Sequence, residues 1–397
     1  MSNYLDANQI KKAPLQPPMM VSAPSALEHL THQLAGESVV AVDTESNSLF
    51  VYFEQTCLIQ ISTSATDYLV DSLVLSKDLQ PLAPFFADPA IEKVIHAAEY
   101  DLLCLKRDFQ FSFNHLFDTM IAARILGWKN VGLGSILQER FGVTLNKKMQ
   151  RADWGHRPLS PEHIAYARED THYLLALRDL QIKELQQPGR LDEAREEFER
   201  LTHIEAAPRT FDPDAYARIT EARKLDSAAL GVLRELFRFR DTQARKENRP
   251  PFKVLTDQMM LRIADAKPTS NQTLAKNTSD YTMRHYAASI LAAVERGMRT
   301  PQLKLPRPRA RNGTPLDNHA QDRLTKLRDW RKARAEKRGV MSDVIISNDA
   351  LIAIARENPA TLEELVQAGE LGEWRAREYG EEILAVLPKR KKQKGTE

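Results

Sequence analysis

Cysteine is scarce: only Cys57 and Cys104 occur in 397 residues. Both lie in apolar surroundings without metal-ligand spacing, which excludes a disulfide framework and a thiolate metal site. They read as reduced core thiols. The stretch from Met1 to Pro18 is polar and proline-containing, with no apolar signal core, so a cytoplasmic location is expected. No apolar run approaches the ~18 residues needed to cross a bilayer, and no membrane partner is expected. Excess charge is lacking too. The net value of +2 gives the whole molecule no strong bias toward polyanions. What remains is an ordinary globular composition, 42% hydrophobic and 28% charged, in a chain long enough for two or three domains. Basic charge is concentrated locally. Lys304, Arg307, Arg309 and Arg311 fall in a proline-rich stretch, and Lys389-Arg390-Lys391-Lys392-Gln393-Lys394 lies near the C-terminus. These segments are either nucleic-acid contacts or solvated charge.

The most informative stretch is Val39-Val40-Ala41-Val42-Asp43-Thr44-Glu45. Four apolar residues running into two acids read as a strand buried on both faces with a charged carboxyl end. Residues two apart on a strand share a face, so Asp43 and Glu45 stand side by side. Like charges there repel, and a divalent cation such as Mg²⁺ or Mn²⁺ relieves the conflict. A polar strand end facing water is the simpler account of the pair alone. The pattern predicts a helix over 25–34 before this strand and further strands over 57–61, 68–70 and 93–96. It then predicts helices over 100–107, within 118–141 and over 161–185, the last opened by Ser160 as N-cap and Pro161. Strands first and helices later argue for a mixed α/β sheet domain ending near residue 205.

Three further residues extend the acidic pair. Asp101 lies where the fourth strand gives way to a helix, at the end of the sheet where α/β proteins place ligands. Tyr166 and Asp170 are four apart on the long helix and share a face. Singly, each has a plain structural reading: Asp101 complements a helix dipole, Tyr166 packs in the core, Asp170 faces solvent. Together they add two acids and a phenol, from two further elements, to the pair on β-structure. His96 reads as a hydrogen-bonded strand-end residue, Trp154 as packing beneath the last helix, and Arg151 as an open candidate for a phosphate contact.

The second half lacks strand-rich sequence and contains an internal repeat. Phe239-Arg240 matches Trp330-Arg331, an offset of 91 residues. At the same offset Val254-Leu255-Thr256 matches Ile345-Ile346-Ser347, and Met260 to Ala264 matches Leu351 to Ala355. Two copies of one small helical domain, joined by the proline-rich stretch, explain this economically.

The motifs Val42-Asp43-Thr44-Glu45, Ile95 to Asp101 and Tyr166-Ala167-Arg168-Glu169-Asp170 resemble those of the DEDD exonucleases of the ribonuclease D type, in the subgroup with tyrosine in the third motif. Arg151 to Trp154 and Arg157-Pro158-Leu159 are similar to the segment leading into that motif. The helical repeats resemble HRDC domains. The resemblance implies a ribonuclease H-like exonuclease fold, a mixed sheet flanked by helices, followed by two small all-α HRDC-like domains. It divides the chain into an N-terminal arm (1–20), exonuclease domain (21–205), first helical domain (212–300), basic linker (301–316), second helical domain (317–388) and basic tail (389–397). It implies that Asp43, Glu45, Asp101 and Asp170 hold two divalent ions, Mg²⁺ or Mn²⁺, with Tyr166 directing the attacking water. The implied activity is 3′–5′ exoribonuclease, releasing nucleoside 5′-monophosphates, with tRNA precursors and other small structured RNAs as partners. A DNA-directed exonuclease of the same superfamily and a non-catalytic nucleic-acid-binding protein are the alternatives.

Overall fold

A computed structural model describes residues 16–187, 189–206, 210–299 and 316–388. The basic linker residues Lys304 to Arg311, the basic tail and most of the N-terminal arm lie outside the described residues. The chain forms two compact units. One contains the described residues of 1–45, 56–206 and 314–397; the other contains those of 46–55 and 207–313.

The first unit is built on a six-stranded sheet. Its strands are β1 (Met19–Val21), β2 (Val39–Ser46), β3 (Thr56–Ser62), β4 (Asp67–Val70), β5 (Glu92–Ile95) and β6 (Leu116–Asp118). Their spatial order is β1-β4-β3-β2-β5-β6. β3 and β4 pair antiparallel, whereas β2 and β5 run parallel with Ala41 opposite Val94. Val39 to Val42 are buried, as a continuous apolar run on a central strand requires. Parallel pairing gives β2 and β5 a common carboxyl end. The acidic end of β2 and the turn after β5 therefore lie at the same edge of the sheet.

The helices of this domain are α1 (Pro24–Leu34), α2 (Ala83–Ala87), α3 (Glu99–Phe109), α4 (Thr119–Ile125), α5 (Leu133–Phe141), α6 (Pro161–His172), α7 (Leu174–Leu185) and α8 (Arg190–Thr202). Leu27, Leu30 and Leu34 of α1 enter the core, joined by stacked Phe86 and Phe111. Two features depart from the sequence expectation. β1 and β6 span three residues each, too short to register an alternating pattern. The helix expected over 161–185 is divided at Tyr173, which separates α6 from α7 although its own backbone stays near the helical region, at φ −93° and ψ −7°.

The helical repeats keep their offset in three dimensions. The first comprises α9 (Ser227–Glu247), α10 (Pro251–Val254), α11 (Asp257–Ala266), α12 (Asn271–Ala275) and α13 (Asp280–Met298). The second comprises α14 (Asn318–Arg338), α15 (Ser342–Ile345), α16 (Asn348–Glu357), α17 (Leu362–Gly369) and α18 (Glu373–Val386). Their caps repeat as well. Asp226 and Asp317 cap the long helices, and Thr256 and Ser347 cap α11 and α16. α9 and α14 end on the left-handed residues Asn248 and Gly339.

The second module belongs to the same unit as the sheet domain and meets it through buried charge. Glu193 of α8 is fully buried and accepts two hydrogen bonds from the Arg338 guanidinium, at 2.9 and 2.7 Å. Arg375 pairs with Glu196 and Glu197 of α8 at 2.9 and 2.6 Å. At Gly127, a Cβ would stand 2.6 Å from the Gly339 carbonyl oxygen, so only glycine permits that approach. Breaking one half of a buried ion pair leaves an uncompensated charge, at a cost of about 3–5 kcal/mol. Arg338→Met is therefore expected to destabilise the protein by about that much in urea unfolding, and adding Glu193→Gln is expected to recover part of it. Equal stability of Arg338→Met and the native chain would show that this pair does not hold the module.

Candidate active site

Asp43 and Glu45 emerge half-buried at the carboxyl end of β2. Asp170 reaches them from α6. One carboxylate oxygen from each of Asp43, Glu45 and Asp170 lies within 4.8 Å of the other two. Asp101, buried in the first turn of α3, sits against the same strand and accepts a short hydrogen bond from the Thr44 hydroxyl. Its ligand atoms fall outside the tight group of three, but its charge acts on Asp43, Glu45 and Asp170. The Tyr166 hydroxyl donates to Asp170, one turn along the same helix.

The electrostatics follow from crowding like charges in a poorly hydrated place. Burial, then Asp101, Asp170 and Glu45, hold the Asp43 carboxyl well above the usual carboxylate range. Burial, then Asp170 and Asp101, raise Glu45. Burial also raises Asp101 and Asp170, against opposing hydrogen bonds from Thr44 and Tyr166. Tyr166 is pushed above its ordinary value by burial and by the surrounding acids, so its phenol stays protonated. Among the described residues no lysine or arginine is paired with any of the four acids. Hard oxygen donors at this spacing, without a neutralising side chain, fit a divalent cation.

The supports of α6 fix how it faces the sheet. Near its end the Thr171 hydroxyl lies 2.6 Å from the Ser62 hydroxyl, which donates to Asp67 at 2.6 Å. Asp67 in turn meets His172 Nδ1 at 2.9 Å. At its start, Ser160 caps the helix. The preceding loop is fastened by Arg157, which donates to both oxygens of Asp71 and to the Cys57 carbonyl. Trp154 is buried beneath α6 with its ring 5.9 Å from that of Tyr166. Arg151 is exposed. His96 is bonded through Nδ1 to Thr119 at 2.8 Å, and burial lowers its pKa to about 4. It is a neutral structural residue.

Asp118 is a residue the sequence reading passed over. It is buried at the end of β6 and caps α4 through the Met120 and Ile121 amides, at 2.8 and 3.0 Å. It also accepts from the Ala97 and Ala98 amides, at 3.2 and 2.7 Å. Ala97 is left-handed, at φ 62°, a conformation that costs a Cβ-bearing residue ~1–2 kcal/mol. Asp118 thus clamps the turn from which α3, with Asp101, begins. The available signal was an N-cap type of residue directly after an apolar run and before a helix; it marks a cap but not the second turn held by the same carboxylate.

Residues 18–186 match the family model described as 3′–5′ exonuclease, and residues 229–294 and 320–387 match the HRDC domain model. The class is therefore a 3′–5′ exonuclease domain followed by two HRDC domains. Ribonuclease D of Gluconacetobacter diazotrophicus is 30% identical over 385 residues, which cover 94% of each chain. The chain belongs to the ribonuclease D family. Mouse exosome complex component 10 is 36% identical over 260 residues, 64% of this chain, but the chain spans only 29% of that relative's length. The Escherichia coli RNase D structure shares the fold, with a TM-score of 0.63 over 94% of this chain and 98% of that one, at 24% identity.

Two outcomes test the geometry. Carboxyls with raised pKa hold protons in the folded chain that the unfolded chain releases above pH ~4. Their stabilising contribution is complete below that value and is lost as pH rises through the raised values. Metal-free protein is expected to melt lower at pH 8 than at pH 5, and Mn²⁺ is expected to raise the melting temperature more at pH 8. Asp43→Asn should shrink both differences; if it leaves them unchanged, the site does not carry them. For Asp118→Asn, Mn²⁺ affinity measured by calorimetry is expected to fall about 10–100-fold, as for supports of metal ligands generally. Unaltered affinity with lowered stability would reduce Asp118 to a helix cap.

Proposed function

We propose that the protein is a 3′–5′ exoribonuclease that removes nucleoside 5′-monophosphates one at a time from RNA 3′ ends. tRNA precursors and other small structured RNAs are its proposed substrates. The observation that carries this reading is the meeting of Asp170 with Asp43 and Glu45 within 4.8 Å, from elements far apart in sequence. Two divalent ions, Mg²⁺ or Mn²⁺, held by these three carboxylates and Asp101, would supply an activated water and charge stabilisation at the phosphate. Asp43, central to the acidic group, is the proposed shared ligand. Tyr166 keeps its proton and so orients the water rather than deprotonating it. Water oxygen bonds to phosphorus, the bond to the preceding 3′ oxygen breaks, and the departing nucleotide retains the 5′ phosphate. Cys57 and Cys104, buried and not joined in a disulfide, suit a reducing cytoplasm.

The basic residues of the repeats divide between structure and binding. Arg240 donates to the Leu255 carbonyl and Arg331 to the Ile346 carbonyl, the same bond at the same repeat position. Arg334 is taken by Glu378 and Glu382. Arg234 and Arg238 contact Glu235, and Arg328 donates to Asn348. A backbone-gripping role therefore rests with the cations of the first module that stay exposed, such as Arg245, and with Lys332 of the second.

Asp43→Asn is expected to reduce hydrolysis of a 3′-extended RNA by at least a thousandfold while leaving RNA affinity within a few-fold. Tyr166→Phe is expected to lower turnover with Mn²⁺ affinity preserved. The assay compares RNA with DNA of the same sequence, in Mn²⁺, Mg²⁺ and EDTA. Native turnover in Asp43→Asn, or activity in EDTA, would remove this centre from the reaction; faster cleavage of DNA would favour the DNA-directed alternative.

A further inference from the structure

In the unit formed by residues 46–55 and 207–313, the 46–55 segment is seated on the end of α9. Asn248 Oδ1, at the left-handed end of that helix, accepts from the Tyr52 and Phe53 amides at 3.1 and 3.0 Å. The Tyr52 hydroxyl donates to Asp241 at 2.7 Å, and the Arg245 guanidinium lies 5.5 Å from the Tyr52 ring centre. The Lys253 ammonium stands 4.3 Å from the centre of Phe50. Arg249 donates to the Tyr281 hydroxyl at 2.5 Å. These contacts tie the segment, the helix end, α10 and the start of α13 into one continuous surface.

That surface exposes aromatic rings that globular proteins usually bury. Phe53 is 56% exposed, Phe252 49% and Tyr281 39%. Arg245 and Lys253 are exposed among them. Two of the nearby acids are already engaged: Asp241 by Tyr52, and Glu247 by Arg249, Tyr286 and Gln243. The second module shows that this character is not needed to fold the repeat. At the same offset Glu336 replaces Arg245, Val340 replaces Arg249, Asp343 replaces Phe252 and Val344 replaces Lys253. There the corresponding end is spent on packing. Val344 enters the core cluster of the sheet domain, and Asp343 pairs with Arg124.

We propose that the end of the first module around Asn248 is a binding surface for a single-stranded stretch of RNA, with bases stacking on Phe53, Phe252 and Tyr281 and phosphates meeting Arg245 and Lys253. Exposed rings interleaved with cations are what a strand without base pairing requires, since every base has a face to stack and every nucleotide a charge. The surface deepens the reading of the chain as an RNA enzyme and rests on it for the identity of the strand.

The test uses the full chain with Phe53→Ala, Phe252→Ala and Lys253→Gln, all at exposed positions. Substrates are a dinucleotide and a hairpin RNA with a long single-stranded 3′ extension. Each phenylalanine variant is expected to raise KM for the extended RNA about tenfold, with kcat unchanged and dinucleotide hydrolysis at the native rate. Lys253→Gln is expected to reduce the salt dependence of extended-RNA binding by ~0.7 in the log–log slope. Native KM and slope in all three variants would overturn the proposal. So would equal losses on both substrates, because the 46–55 segment follows Glu45 in the chain and such losses would mark a disturbed catalytic strand. Loss of a concentration-dependent dimer in sedimentation, with RNA binding intact, would reassign the surface to a second copy of the chain. If the native protein hydrolyses neither substrate while the variants lose binding to the extended RNA, the surface stands and the nuclease reading falls.

Discussion

Four carboxylates gathered in a half-buried place form an arrangement that opposes its own folding. Each must be held against the repulsion of the other three and against loss of hydration. The sheet domain distributes that task among rigid parts. β2 delivers two acids from a fully buried run, the clamped turn after β5 delivers Asp101, and α6, riveted to β3 and β4, delivers Asp170. The surrounding acids make the contrast clear. Asp67 meets a histidine, Asp71 and Asp108 each an arginine, and Asp118 four backbone amides. Acids that serve the fold are given partners from within the chain, whereas among the described residues the central four have no cation, only the neutral hydroxyls of Thr44 and Tyr166 and backbone amides such as that of Thr44. The deficit is of a size and hardness that divalent cations fill.

How much of this could be read in advance depended on the range of the interaction. The β2 strand and its two acids were legible because a continuous apolar run ending in two acids is a property of seven adjacent residues. The facing of Tyr166 and Asp170 was legible because helical spacing is local. The convergence of the three elements was not, since no periodicity connects residue 43 with residue 170; motif resemblance supplied that step. Asp118 escaped for the same reason. Its cap is local, but its second set of bonds crosses to a turn twenty residues earlier. β1 and β6 exist only as partners of β4 and β5, so nothing in their own three residues specifies them.

The two helical modules separate what a fold needs from what a surface offers. Caps, helix lengths and the Arg240 and Arg331 bonds to backbone recur at one offset, which marks them as structural. The guanidinium at that position is a brace between helix and loop. The differences between modules carry the other half of the information. Where one presents Glu336, Val340, Asp343 and Val344, the same end is closed against the sheet domain through Gly339 and the Arg124 pair. Where the other presents Arg245, Arg249, Phe252 and Lys253, the end seats the segment that continues from Glu45 and leaves rings and cations in solvent. Duplication of one stable module therefore let its helix end diverge without disturbing the core beneath, one copy toward packing and the other toward charge.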